Sequence, residues 1–172
     1  MPRSTARLLA TSFAFLAIPA VASAQATPPS QVNFLGAPSS PISASVAIPA
    51  GAAWVWTSGT VPTPIDANAP AGSRARYGDT KTQAISALKV IEGRLKDRGL
   101  TLKDVVYLRV YLVADKEKGG AVDFSGWNEA YGMYFNNSAN PTKVARSTIA
   151  IAALGIPDLL IEIEAFAVYP KS

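Results

Sequence analysis

From Leu160 to Ala167 the chain alternates without a break. Ile161, Ile163, Ala165 and Ala167 fall on one side, and Leu160, Glu162, Glu164 and Phe166 on the other. A period of two is the signature of a β-strand. The first set suits a packed core, whereas the second places two carboxylates beside two large apolar groups. A second β-branched run precedes it, joined through the turn Leu154-Gly155-Ile156-Pro157-Asp158. That run opens with Arg146, the only strong cation in either strand. Two consecutive strands are expected to be neighbours, so Arg146 and a glutamate form either a candidate site or a structural ion pair on a solvated face.

The rest of the sequence supplies what these strands pack against. Residues 32–35, 43–48 and 54–57 read as short strands. The third ends at Ser58-Gly59-Thr60, where Gly59 signals a close backbone approach, a bulge or an ordinary strand end. Residues 61–77 hold Pro62, Pro64, Pro70 and Gly72 and read as a loop, of a length that often serves as a lid or rim. A helix follows, with Thr80 and Gln83 as a capping box and Ala84, Leu88, Ile91 and Leu95 as its apolar stripe. Gly99 stands at its C′ position. Residues 105–113 form the longest strand, with Val106, Leu108, Val110 and Leu112 on one face. Val105, Tyr107, Tyr111 and Val113 lie on the other, interrupted by Arg109. A second helix over 123–135 carries Phe124, Trp127, Tyr131 and Tyr134 or Phe135 as its stripe. Asn128 borders that stripe, either as a surface or capping residue or as part of a cleft.

Strands, helix, strand, helix, two strands define an α+β fold with both helices on one face of a mixed sheet. Two helices cover one face only, yet the longest strand is largely apolar on both. The second face is therefore expected to be buried by self-association into a closed oligomer.

Residues 1–24 carry the pattern of an export signal: Arg3 and Arg7, an apolar stretch from Leu8 to Val21, then Ala22-Ser23-Ala24. The apolar stretch is shorter than a membrane span requires, and an uncleaved anchor is the alternative. The expectation is a signal peptide over 1–24, a single domain over 25–172 and an exported, periplasmic protein. Of 16 Lys and Arg, 14 lie beyond residue 24, against 12 Asp and Glu, leaving the mature part at +2. No basic cluster with interleaved aromatics marks a nucleic-acid binder. With no Cys and no His, the chain has no disulfide, thiolate nucleophile, Ser-His-Asp triad or His- or Cys-liganded metal. Chemistry here falls to carboxylates, Arg, Lys, hydroxyls and the backbone.

Six short motifs in register resemble one family. They are Trp56-Thr57-Ser58-Gly59; Gln83 at the start of the first long helix; Gly99-Leu100-Thr101-Leu102-Lys103-Asp104; Trp127-Asn128-Glu129-Ala130-Tyr131 with Tyr134-Phe135; Ala145-Arg146-Ser147; and Ile161-Glu162-Ile163-Glu164-Ala165 with Ala167. Together they are similar to the RidA/YjgF family of reactive-intermediate deaminases over about residues 32–169. The resemblance implies a chorismate-mutase-like fold and a homotrimer with a central barrel and ligand clefts between subunits. It also implies metal- and cofactor-independent hydrolysis of 2-imino or enamine acids to 2-oxo acids and ammonia. By the same resemblance Arg146 grips the substrate carboxylate, Glu162 activates the water, and Asn128 with Ser58 and Gly59 lines the cleft. Arg suits its part because its planar fork offers two parallel hydrogen bonds to a carboxylate.

The sequence departs from the family pattern at Ile42, where an aromatic hydroxyl is usual, and at Thr60, where Gln is common. The loop 61–77 is also more elaborate. These departures open a second reading, a non-catalytic trimer that binds a small carboxylate or acts as a chaperone-like scaffold.

Overall fold

The computed structural model describes residues 27–170; the export signal and its cleavage position lie outside the described residues. Strand β4 (Val105–Asp115) is the axis of the molecule. On one side it pairs antiparallel with β7 (Ile161–Val168), which in turn pairs antiparallel with β3 (Trp54–Trp56). On its other side β4 pairs in parallel with β6 (Ala145–Ile151), and beyond that, at its last two residues, with the short β5 (Ala121–Val122). Strands β1 (Asn33–Leu35) and β2 (Ser45–Ala47) form a separate antiparallel pair. β6 and β7 are therefore not neighbours. The turn from Leu154 to Asp158 carries the chain across β4, correcting the adjacency expected from sequence.

The two long helices lie on one face, as expected. Ala84, Leu88, Ile91 and Leu95 of α2 (Thr80–Lys96) pack with Trp127 and Tyr131 of α3 (Phe124–Tyr134). Both stripes bury Leu108, Val110 and Leu112 of β4 and Ile161, Ile163, Ala165 and Ala167 of β7. Each leucine, isoleucine or valine among them contributes about 1.5–3 kcal/mol on burial, so the alternation of β7 is what fixes its register. Phe124 is not part of the α3 stripe; it is 44% exposed, and Phe135, fully buried at the helix end, takes the last position. Residues 61–77 are not wholly irregular, because Arg74–Tyr77 form a single helical turn, α1.

The capping expected at Thr80 and Gln83 is also corrected. Asp79 is the N-cap of α2 and accepts from the Thr82 amide, while the Thr80 hydroxyl has no partner. Gln83 is buried and its amide holds two loops together, donating to the carbonyls of Gly78 and Asp158 and accepting from the Leu160 amide. At the other end Gly99 has φ 72°, Leu100 N–H donates to Leu95 and Gly99 N–H to Lys96. That is a Schellman motif with Gly99 at C′, as the sequence indicated.

The opposite face of the sheet carries no helix. Trp54, Trp56 and Ile149 remain 55%, 52% and 43% exposed there within a single chain.

Candidate functional site

Register decides where the two charged candidates point. Arg146 is opposite Leu108, so it shares the helix side of the sheet with Leu108, Val110 and Thr148. Glu162 is opposite Tyr111 and Glu164 opposite Arg109, which places both carboxylates on the open side. Leu108 and Tyr111 are an odd number of residues apart on one strand, so Arg146 and Glu162 face opposite ways.

Arg146 is half-buried at the free edge of β6. Its guanidinium lies 4.5 Å from the centre of the Tyr131 ring and 5.4 Å from that of Trp127. Nη2 donates to Asn128 Oδ1 at 2.6 Å. Trp127 and Tyr131 are one helical turn apart and Asn128 follows Trp127, so one segment of α3 makes the whole platform. The rings are fixed in turn, Trp127 by its Nε1 donating to Thr148 Oγ1 and Tyr131 by its hydroxyl donating to the Pro41 carbonyl. Nη1 is buried and unpartnered, and Arg146 makes no ion pair among the described residues. Burial lowers its pKa from the usual guanidinium range, with Tyr131 acting in the opposite sense. A partly desolvated cation with an orphaned donor and no counter-charge is poised for an anion.

Glu162 belongs to a second cluster. Thr57 pairs with Ala165 and Thr60 with Ile163, so Ser58 and Gly59 together oppose the single residue Glu164. This is a β-bulge, and it drives the backbone at Gly59 against Glu162. A Cβ at position 59 would fall on the Glu162 carboxylate, so any side chain there would have to displace that carboxylate. Thr60 holds the bulge by donating to the Ser58 carbonyl while accepting from Arg94 Nη1.

The neighbouring carboxylate is already engaged. Glu164 receives Trp56 Nε1 at 3.2 Å, Arg109 Nη1 at 3.3 Å and the Tyr111 hydroxyl at 3.1 Å. Glu162 makes no side-chain hydrogen bond or ion pair among the described residues, so its oxygens stay free beside Gly59. Sequence reasoning missed Trp127, Tyr131 and Thr60 as parts of these clusters. Their spacing from Asn128 and Gly59 was the available signal. Ile42 packs against the hydrophobic core and presents no polar group. Among the described residues no group of three or more Asp or Glu could hold a metal ion.

The α+β chain thus bears a cation cluster on one side of its sheet and a carboxylate cluster on the other. The chain belongs to the endoribonuclease L-PSP family, the RidA/YjgF proteins, whose profile matches residues 37–169. It is 39% identical over 90 residues to a RutC family protein of Pyrococcus horikoshii; the match spans 52% of this chain and 63% of the relative's own length. Among solved structures, a Rid family protein of Yersinia pestis of unknown function shares the fold, with TM-score 0.60 and 24% identity over 81% of this chain and 99% of the other. E. coli TdcF, solved with bound serine, is 29% identical with TM-score 0.52, over 71% and 84% of the two chains. The chorismate-mutase-like α+β architecture expected from sequence is thereby established.

Proposed function

We propose that this protein is an exported hydrolytic deaminase of reactive 2-imino or enamine acids, working as a homotrimer. The observation that carries the reading is the unpaired Arg146 guanidinium on its Trp127, Tyr131 and Asn128 platform, facing away from the unengaged Glu162. A substrate held by both must bridge two copies of the chain. Arg146 and Asn128 come from one subunit, and Glu162 with the Ser58-Gly59 bulge from its neighbour. The exposed Trp54, Trp56 and Ile149 give the sheet a face for such association.

In this scheme the substrate carboxylate accepts from the orphaned Nη1 of Arg146, leaving its C=N carbon toward Glu162. Glu162 accepts a proton from water as the oxygen adds to that carbon, a step worth about 10²–10⁴ in rate. Glu162 returns that proton to nitrogen, giving the tetrahedral carbinolamine, and then relays the hydroxyl proton to the amine as the C–N bond breaks, releasing ammonia and the 2-oxo acid. Water is the only co-reactant. The bound serine of TdcF supports a small amino-acid-like ligand in a relative of this fold. The family description as an endoribonuclease finds little support in a chain with no His and a mature charge of only +2.

The direct test generates imino acids in place with an amino-acid oxidase and traps the unhydrolysed imine with semicarbazide. The protein should suppress semicarbazone formation catalytically. No suppression across a panel of small imino acids, with ligand binding retained, would favour the non-catalytic carboxylate binder; the loss of the aromatic hydroxyl at Ile42 is the feature that points that way. Among the described residues no helix is long and apolar enough to cross a membrane. Export itself rests on the pattern in residues 1–24.

A further inference from the structure

Five buried side-chain polar atoms lack a hydrogen-bond partner among the described residues. One is Arg146 Nη1, in the cluster already described. Of the other four, Ser73 Oγ and Asp115 Oδ2 belong to residues at one cavity, where the end of loop 61–77 meets the end of β4; Arg76 and Thr80 do not line it. Buried polar groups are ordinarily satisfied, so an orphaned hydroxyl and an orphaned carboxylate oxygen on residues of one cavity call for a partner.

A cavity of about 360 Å³ opens at that place, at the opposite end of β6 from Arg146, with Ser73, Arg74, Asp115, Lys116, Glu117 and Asp158 among its lining residues. Asp115 is only 2% exposed. Its Oδ1 is occupied by the guanidinium of Arg74 and by the Glu117 amide, while Oδ2 is left over. Arg74 cannot serve as an anion receptor, because its Nε, Nη1 and Nη2 already donate to Glu117, the Gly78 carbonyl and Asp115. Ser73 stands at the N-cap of α1, yet its hydroxyl makes no capping bond and is free to bind. The ionisable side chains of the lining carry one more negative than positive charge. Val113, Leu154 and Leu160 supply apolar wall.

We propose that this cavity is a second ligand site, separate from Arg146 and Glu162, for a small primary amine. The ammonium group binds Asp115 Oδ2 and Ser73 Oγ, and a short apolar body lies along Val113, Leu154 and Leu160. An ammonium offers three donors and one positive charge, matching the orphaned acceptors and the local charge. A divalent metal is the weaker match, since Arg74 and Lys116 stand beside the carboxylates and no metal-holding group is present among the described residues. The elaborate loop 61–77 thereby acquires a purpose, as the rim that carries Ser73 and Arg74.

Calorimetric titration of the full protein with n-butylamine, using n-butanol and butyrate as matched controls near neutral pH, tests this. Saturable binding of one amine per protomer is expected, with neither control binding and with 2-oxobutanoate failing to compete. Asp115→Asn should weaken the amine by at least about tenfold. Because Asp115 also holds Arg74, that variant can fail to fold. Ser73→Ala touches none of those contacts and should weaken binding by about fivefold. The proposal is overturned if n-butylamine binds no better than n-butanol, if 2-oxobutanoate displaces it, or if Ser73→Ala binds it as the parent does.

Discussion

Arg146 and Glu162 stand on opposite faces of one sheet, in register with Leu108 and Tyr111 of the strand between them. No rotamer brings an arginine and a glutamate together through a sheet, so a shared substrate requires two chains. With the homotrimer that the family resemblance implies, purified protein should scatter light as three protomers. Two inactive variants, Arg146→Ala and Glu162→Gln, should restore one another on mixing after subunit exchange. With equal, random mixing about one interface in four combines a native Arg146 with a native Glu162, so about a quarter of parental activity is expected. No recovery in mixed trimers would place both residues in the service of a single chain.

Arg146→Lys keeps the charge but loses the fork and the stacking on Tyr131 and Trp127. Turnover should fall by about tenfold or more, reflecting one charge-assisted hydrogen bond of roughly 1.5–3 kcal/mol, while the melting temperature changes little. A lysine variant with parental kcat/KM would show that Arg146 serves only to hold α3 against β6.

Asp123 supplies a pH-dependent contribution. It caps α3 through the Gly126 amide and pairs with Lys118; the Lys118 hydrogen bond, then the amide, holds its carboxyl below the ordinary carboxylate range. A carboxyl depressed in the folded state stabilises above its unfolded pKa, and that contribution is lost as pH falls through the folded value. Asp123→Ala should cost about 1 kcal/mol near neutrality, by denaturant unfolding. The difference from the parent should shrink as the pH drops below the carboxylate range. A constant difference across that range would assign the effect to packing alone.

Much of this could be read from the residues, for reasons that also explain what could not. The period of two from Ile161 to Ala167 and the stripe Ala84-Leu88-Ile91-Leu95 are local patterns tied to one core, and both hold. The partner of β6 depends on a crossing that no local pattern encodes, so chain order alone puts Arg146 beside β7 instead of β4. Gln83 has the spacing from Thr80 of a capping side chain. Its burial comes from Asp158 and Leu160, more than seventy residues away. Gly59 is ambiguous in sequence for the same reason, since the carboxylate that a side chain there would displace arrives from β7.

Export predicts a mature N-terminus at Gln25. Sequencing the protein recovered from the native cell envelope checks it directly, and an intact Met1 on protein recovered from the cytosol would overturn it.

The last prediction separates the two carboxylates of β7. They lie two residues apart on one face, about 6.6 Å along the strand. Glu164 is held by Trp56, Arg109 and Tyr111, whereas Glu162 faces Gly59 with its oxygens free. Glu162→Gln preserves the shape beside Gly59 but cannot accept a proton, so deamination should drop by roughly 10²-fold or more while carboxylate binding through Arg146 survives. Glu164→Gln removes the negative partner of Arg109 on the face proposed to associate, where the pair is partly exposed and worth at most about 1 kcal/mol. It should lower thermal stability or trimer integrity slightly and leave turnover per intact trimer unchanged. Steady-state kinetics and melting curves on both variants decide the assignment. If Glu164→Gln abolishes turnover and Glu162→Gln only destabilises, the roles are exchanged by one repeat of the pleat. If neither variant loses activity, the water is activated by a group outside this strand.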